Sequence, residues 1–176
     1  MTGSIGRPGA DEYAPYYERY VSRVPEGDVV ERMERQGAEV AELLRGVPPE
    51  LHGHRYAEGK WSVREVVGHL CDAERIFPYR ALRISRGDRT PLPGWEEDAY
   101  VEAANFDARS LESLAAEWAD LRRATLWLFR GLDAEAAGRR GSASGYEVSA
   151  RALAYITVGH TDHHLDILRT RYLGAS

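Results

Sequence analysis

The sequence predicts an all-α protein, a four-helix bundle with one long crossover between its second and third helices. Three observations carry that expectation. Four segments repeat apolar residues every three or four positions, capping residues stand where helices should begin, and no stretch shows strand-length alternation bounded by turn chemistry. At 176 residues the chain has the size of one domain, taken as 1–176 with 1–24 as an N-terminal extension. Such a chain buries a full core without a structural metal.

The first helix is expected from Asp28 to Arg45, where Val30, Met33, Val40 and Leu44 recur at helical spacing and Asp28 with Glu31 has the form of a capping box. Gly46-Val47-Pro48-Pro49 ends it. The second begins at Ser62, whose hydroxyl can cap while Glu65 reaches back, and reaches Arg86 with Val63, Val66, Val67, Leu70, Ala73 and Phe77 on one stripe. Pro78 inside it removes a backbone donor and predicts a kink.

The connection from Gly87 to Phe106 is too long for a tight turn, and its Trp95 and Tyr100 can lay apolar weight over the bundle. A third helix is expected from Asp107 to Gly131, with Leu111, Leu114, Trp118, Leu121, Thr125 and Leu128 spaced by threes and fours. After a Gly/Ser-rich break from Gly138 to Gly145, the fourth runs from Ser149 to Tyr172, with Gly174 as its stop. Trp61, Trp118 and Trp127 read as core, and residues 1–10 as a flexible head. Tyr13, Tyr16, Tyr17 and Tyr20 are too many rings to leave in water. Their segment should pack along the bundle or on a partner subunit, and a homodimer is consistent with that.

Composition narrows the function classes. The net charge of −5 comes with arginines interleaved among acids, so no concentrated basic face is available for nucleic acid. A small-molecule substrate is the expected partner. Cys71 is the single cysteine, which rules out an intrachain disulfide and fits a reducing compartment. The chain opens without an apolar segment of signal length and has no apolar run of the ~20 residues a membrane span needs. A cytoplasmic location away from membranes is expected.

Chemistry concentrates in the histidines. On the second helix His69 lies about 60° from Val66, inward at the edge of the stripe. On the fourth, the seam Leu153, Ile156, His160, His164, Ile167 carries two histidines one turn apart, the arrangement by which a helix offers two imidazoles to one ion. His69 alone reads equally as a core histidine. The pair changes that, because burying several imidazoles without partners costs a few kcal/mol. His163 can replace one member of the set or face substrate. Asp72 can orient an imidazole or act as a base, and otherwise is a salt-bridged carboxylate. Glu65 reads as a cap and Cys71 as a packed thiol. His52 and His54 should be exposed.

These residues resemble the DinB/YfiT family of helical-bundle metal-dependent enzymes. The similarity extends over nearly the whole chain, through Tyr56-Ala57-Glu58-Gly59-Lys60-Trp61-Ser62, Gly68-His69-Leu70, Ala73-Glu74-Arg75, Tyr79-Arg80-Ala81-Leu82, Pro93-Gly94-Trp95, Asp98-Ala99-Tyr100, Gly159-His160 to His164, and Ile167-Leu168-Arg169. The resemblance implies a metal triad of His69, His160 and His164 holding a divalent ion, Zn²⁺ or Ni²⁺, with an open position. It further implies transfer of a low-molecular-weight thiol, such as bacillithiol or mycothiol, to a small electrophile, with Asp72 and His163 as catalytic candidates. Arg75, Arg80 and Trp95 are the candidates for holding substrate, the arginines through a carboxylate. Two alternatives stand beside it: a metal-dependent hydrolase attacking with metal-bound hydroxide, and a non-catalytic metal- or ligand-binding bundle related to stress.

Overall fold

Four long helices form the bundle in a computed structural model that describes residues 5–174. They are α2 (Val29–Arg45), α3 (Val63–Ser85), α5 (Leu111–Arg130) and α7 (Ala150–Ile167). A short α1 (Glu18–Val21) precedes them, α4 (Glu97–Ala104) lies in the crossover, and α6 (Ala134–Gly138) leads into strands β1 (Arg140–Ala143) and β2 (Tyr146–Ser149). Helix α3 packs against both α5 and α7, and α2 closes the bundle against the same two.

The starts follow local chemistry. Ser62 accepts from the Glu65 amide while Glu65 accepts from the Ser62 amide, the reciprocal box the sequence suggests. Asp28 caps α2 by accepting from the amides of Val30 and Glu31. Helix α5 begins later than expected. Ser110 caps it, and Asp107 instead sits in a 3₁₀ turn, where it accepts from the Ser62 hydroxyl and from Arg55. Helix α3 continues through Pro78 to Ser85, held by Phe77, Ala81 and Ile84 in the core.

The Gly/Ser-rich break is not irregular. It is a β-hairpin with Arg140 opposite Ser149 and Ala143 opposite Tyr146, turning through Ser144 and Gly145, both with positive φ. Leu92 of the crossover lies beside Ala143, its amide donating to the Ser142 carbonyl and its carbonyl accepting from the Ser144 amide. Four-residue strands are too short to show alternation in the sequence, and the hairpin pins one end of the crossover.

Other expectations change with packing. Trp127 is 74% exposed, because the buried face of α5 turns past Leu121 to Arg122, Thr125, Leu126 and Phe129. That rotation brings Arg122 onto buried Glu74. His52 is buried, its Nε2 at 3.1 Å from the Val47 carbonyl oxygen. The expectation of a flexible head over residues 1–10 falls in part on residues 1–4, outside the described residues; within it Ile5 is buried and Arg7 donates to the Val21 carbonyl. Tyr13 and Tyr20 are buried and Tyr17 half-buried against this chain's own bundle. The last turns, Leu168–Tyr172, widen to a π-helix before Gly174, whose φ of +64° ends the run. Among the described residues no helix is long and apolar enough to cross a membrane.

Candidate metal centre

His69 comes from α3, and His160 and His164 from α7 one turn apart. Two glycines let other segments close on them. A Cβ on Gly68 would lie 2.3 Å from the Phe106 ring, and one on Gly159 would lie 2.0 Å from the Tyr20 carbonyl oxygen. The second approach is backbone to backbone, so α1 presses directly on α7 and sets the Tyr20 ring edge-on to His160 at 5.2 Å.

The three imidazoles converge. Their centroids are 4.6–4.9 Å apart, and one nitrogen from each lies within 4.8 Å of the others. The Nε2 atoms of His69 and His160 approach to 3.0 Å, while Nδ1 of His69 and of His164 are buried with no hydrogen-bond partner among the described residues. Burial pushes His69 down to about 4. It lowers His160 and His164 well below the ordinary imidazole range, and neighbouring histidines add to the effect. At neutral pH all three are uncharged and keep a lone pair. Neutral nitrogen donors from two helices, some without any protein partner, are a set that fits a divalent cation with an open position.

Aromatic residues shield this cluster. Trp61 lies 4.7 Å from His69, and Trp95, from the crossover, stacks on it at 5.4 Å with planes 11° apart. Phe77 meets His160 at 5.4 Å. The first turn of α4 brings in a carboxylate: Glu97 Oε2 lies 3.9 Å from His69 Nε2, half-exposed. Burial first, then Asp98 and Glu96, raise its pKa. Two cavities flank the cluster. One of about 470 Å³ reaches His160 between Tyr17, Tyr20, Trp95 and Glu97, and one of about 260 Å³ reaches His164 between Lys60, Trp61, Asp98 and Tyr172.

The other candidates are placed differently. Trp95 is at the cluster. Asp72 lies about 60° further round α3 than His69; it faces Arg75 and Glu117, and burial raises its pKa. Arg75 is an exposed arginine bonded to Glu117 at 2.7 Å. Arg80 is buried, donating to the Pro93 carbonyl and the Ser144 hydroxyl, so it holds crossover and hairpin together. His163 lies beside Tyr20 and His164, outside the three-nitrogen group. Cys71 is packed as expected, donating to the Leu114 carbonyl, its thiol pushed up to about 12 by burial.

Sequence reasoning missed Glu97, Tyr20 and a buried network beneath α7. Arg122 makes two bonds to Glu74, at 2.7 and 2.8 Å, and a third to Gln36 Oε1 at 2.6 Å. Gln36 in turn donates to the Val158 carbonyl and to Asp162, which also accepts from Arg32. The network joins all four long helices and fixes the rotation of α7 next to its histidines. Glu74 interrupting an apolar stripe and Arg122 following Leu121 were its signals in the sequence.

Fold and histidine cluster together define a helical bundle of the DinB type. The chain belongs to the DinB superfamily, whose family model matches residues 32–168. Among solved structures it is similar to YfiT from Bacillus subtilis, reported as "a probable metal-dependent hydrolase with an unusual four-helix bundle topology". The two share 20% identity and superpose with a TM-score of 0.73 over 94% of this chain and 95% of that one. No curated protein sequence matches this chain.

Proposed function

We propose that this protein is a metal-dependent enzyme that hydrolyses a small polar substrate, with His69, His160 and His164 as the ligands of a divalent ion, Zn²⁺ or Ni²⁺. The observation that carries the reading is Glu97, a carboxylate at 3.9 Å from His69 on the side where the larger cavity opens. Hydrolysis needs a group beside the metal that can move a proton, and Glu97 stands in that place. A divalent ion in this site supplies Lewis-acid activation of water and of a carbonyl oxygen. Glu97 is within reach to take the proton of the attacking water and return it to the leaving group. Trp61 and Trp95 exclude bulk solvent from His69. Tyr17 and Tyr20 form a wall on which substrate rests.

The second cavity, beside His164, favours a second reading. Transfer of a low-molecular-weight thiol to an electrophile needs two substrates at one centre, and two cavities flank these histidines. One experiment separates the readings. Metal-loaded protein is assayed against a panel of esters and amides, then against electrophiles with and without bacillithiol. Hydrolysis without thiol supports the first reading. Turnover only with thiol replaces it by the second, and metal binding with neither activity returns the chain to a binding module.

A further inference from the structure

The larger cavity has a consistent chemistry of its own. Its aromatic walls include Tyr16, Tyr17, Tyr20 and Trp95, and its charged members are Glu96 and Glu97. None of its described lining residues is Lys or Arg. Two arginines stand close by and neither lines it. Arg80 is buried, bonded to Pro93 and to Ser144 of the wall and close to Tyr17, and Arg19 lies over the Tyr16 ring at 4.1 Å.

The rings are arranged as faces and edges. Tyr16 and Tyr17 meet at 83° with centroids 5.4 Å apart, forming a corner, and Trp95 is braced at 78° by Tyr100. Aromatic faces carry negative potential and ring edges positive, so a cation gains wherever a face is turned to the space. Two carboxylates at the same space add to that preference. Acidic residues in the first turn of α4 also suit its helix dipole. That role does not explain their aim, since Asp98 of the same turn lines the other cavity while Glu96 and Glu97 line this one.

We infer that the cavity beside His160 binds the ammonium end of a small organic cation, and that the substrate of the proposed enzyme is an amine- or ammonium-bearing molecule. The step from ligand to substrate rests on the proposed function; the binding itself does not.

The test is calorimetric titration of metal-free protein at low salt with benzyltrimethylammonium, benzyl alcohol and benzenesulfonate. With no ion beside His160 to bias cation against anion, the comparison reads the walls. The cation should bind about 10-fold tighter than benzenesulfonate, with benzyl alcohol between them. Glu96→Gln should weaken the cation by about 3- to 5-fold, and added salt should do the same. Trp95→Leu should weaken both the cation and benzyl alcohol. Equal or tighter binding of benzenesulfonate would overturn the inference, as would no binding of any probe, or cation binding indifferent to Glu96 and Trp95. A protein inactive on every ester and amide that still selects the cation would sink the hydrolase reading alone. An active one without cation preference would sink this one alone.

Discussion

The carboxylate of Glu97 and the three buried imidazoles are the residues on which the chemistry turns. Replacing His69, His160 or His164 by Ala should lower metal content sharply while the helical signal in circular dichroism stays, because the core is complete without an ion. Full metal content in any one variant would remove that residue from the ligand set. Glu97→Gln should keep its metal and lose about 10²-fold or more in kcat. A kcat unchanged within experimental error would remove Glu97 from the proton path. The imidazoles also set a pH dependence. His69 is pushed down to about 4 in the fold against 6.5 ordinarily, so the unfolded chain binds more protons between those values. Stability from keeping it neutral is present above pH 6.5 and is lost as the pH falls towards 4, by roughly 3 kcal/mol from this group. His160 and His164 shift in the same direction. Thermal melts of metal-free protein from pH 7.5 to 4.5 should therefore fall steeply. A flat profile would contradict neutral, buried histidines.

At the scale of the element, two close approaches and one buried ion pair govern how the helices present those residues. Gly159 faces the Tyr20 carbonyl so closely that a Cβ would lie 2.0 Å from it, and backbone cannot swing aside as a side chain would. Gly159→Ala should push α1 off α7, costing about 1–3 kcal/mol and loosening Tyr20 from His160. A melting temperature equal to the parent's would refute that contact. Arg122 and Glu74 are both almost wholly buried, so removing one leaves the other charged and unpaired. Glu74→Ala should cost roughly 3–5 kcal/mol, and replacing both residues with Leu should cost less than either single change. A double variant that costs the sum of the two single changes would mean the charges do not compensate each other. The same elements show what the sequence could and could not tell. Ser62 with Glu65, the stripe from Val63 to Phe77 and the His160–His164 pair are local patterns within one helix and were legible. The β-hairpin was not, since four-residue strands give no alternation. Trp127 misled because the face of α5 is turned by a charged residue, Arg122, that apolar periodicity does not count.

On the scale of the whole molecule, the segment ahead of α2 closes the bundle over the site. Tyr20 edges His160, Tyr17 meets Phe77, and Glu12 is tied to Arg151 on α7 by two bonds. Deleting residues 1–24 should lower the melting temperature, reduce solubility and open the cavity beside His160, which dye binding and calorimetry can read. Unchanged melting and unchanged probe binding would show the segment to be dispensable. The sequence by itself determined the four helices, the caps of α2, α3 and α7, and the histidine pairing of α7, because each depends on residues within a few positions of one another. Only the tertiary structure decided that Glu97 and Trp95 meet His69, that Arg75 and Asp72 turn away, and that Tyr20 covers His160. Those relations join segments tens of residues apart, and their geometry is set by helix rotation, by the two glycine contacts and by the hairpin that anchors the crossover.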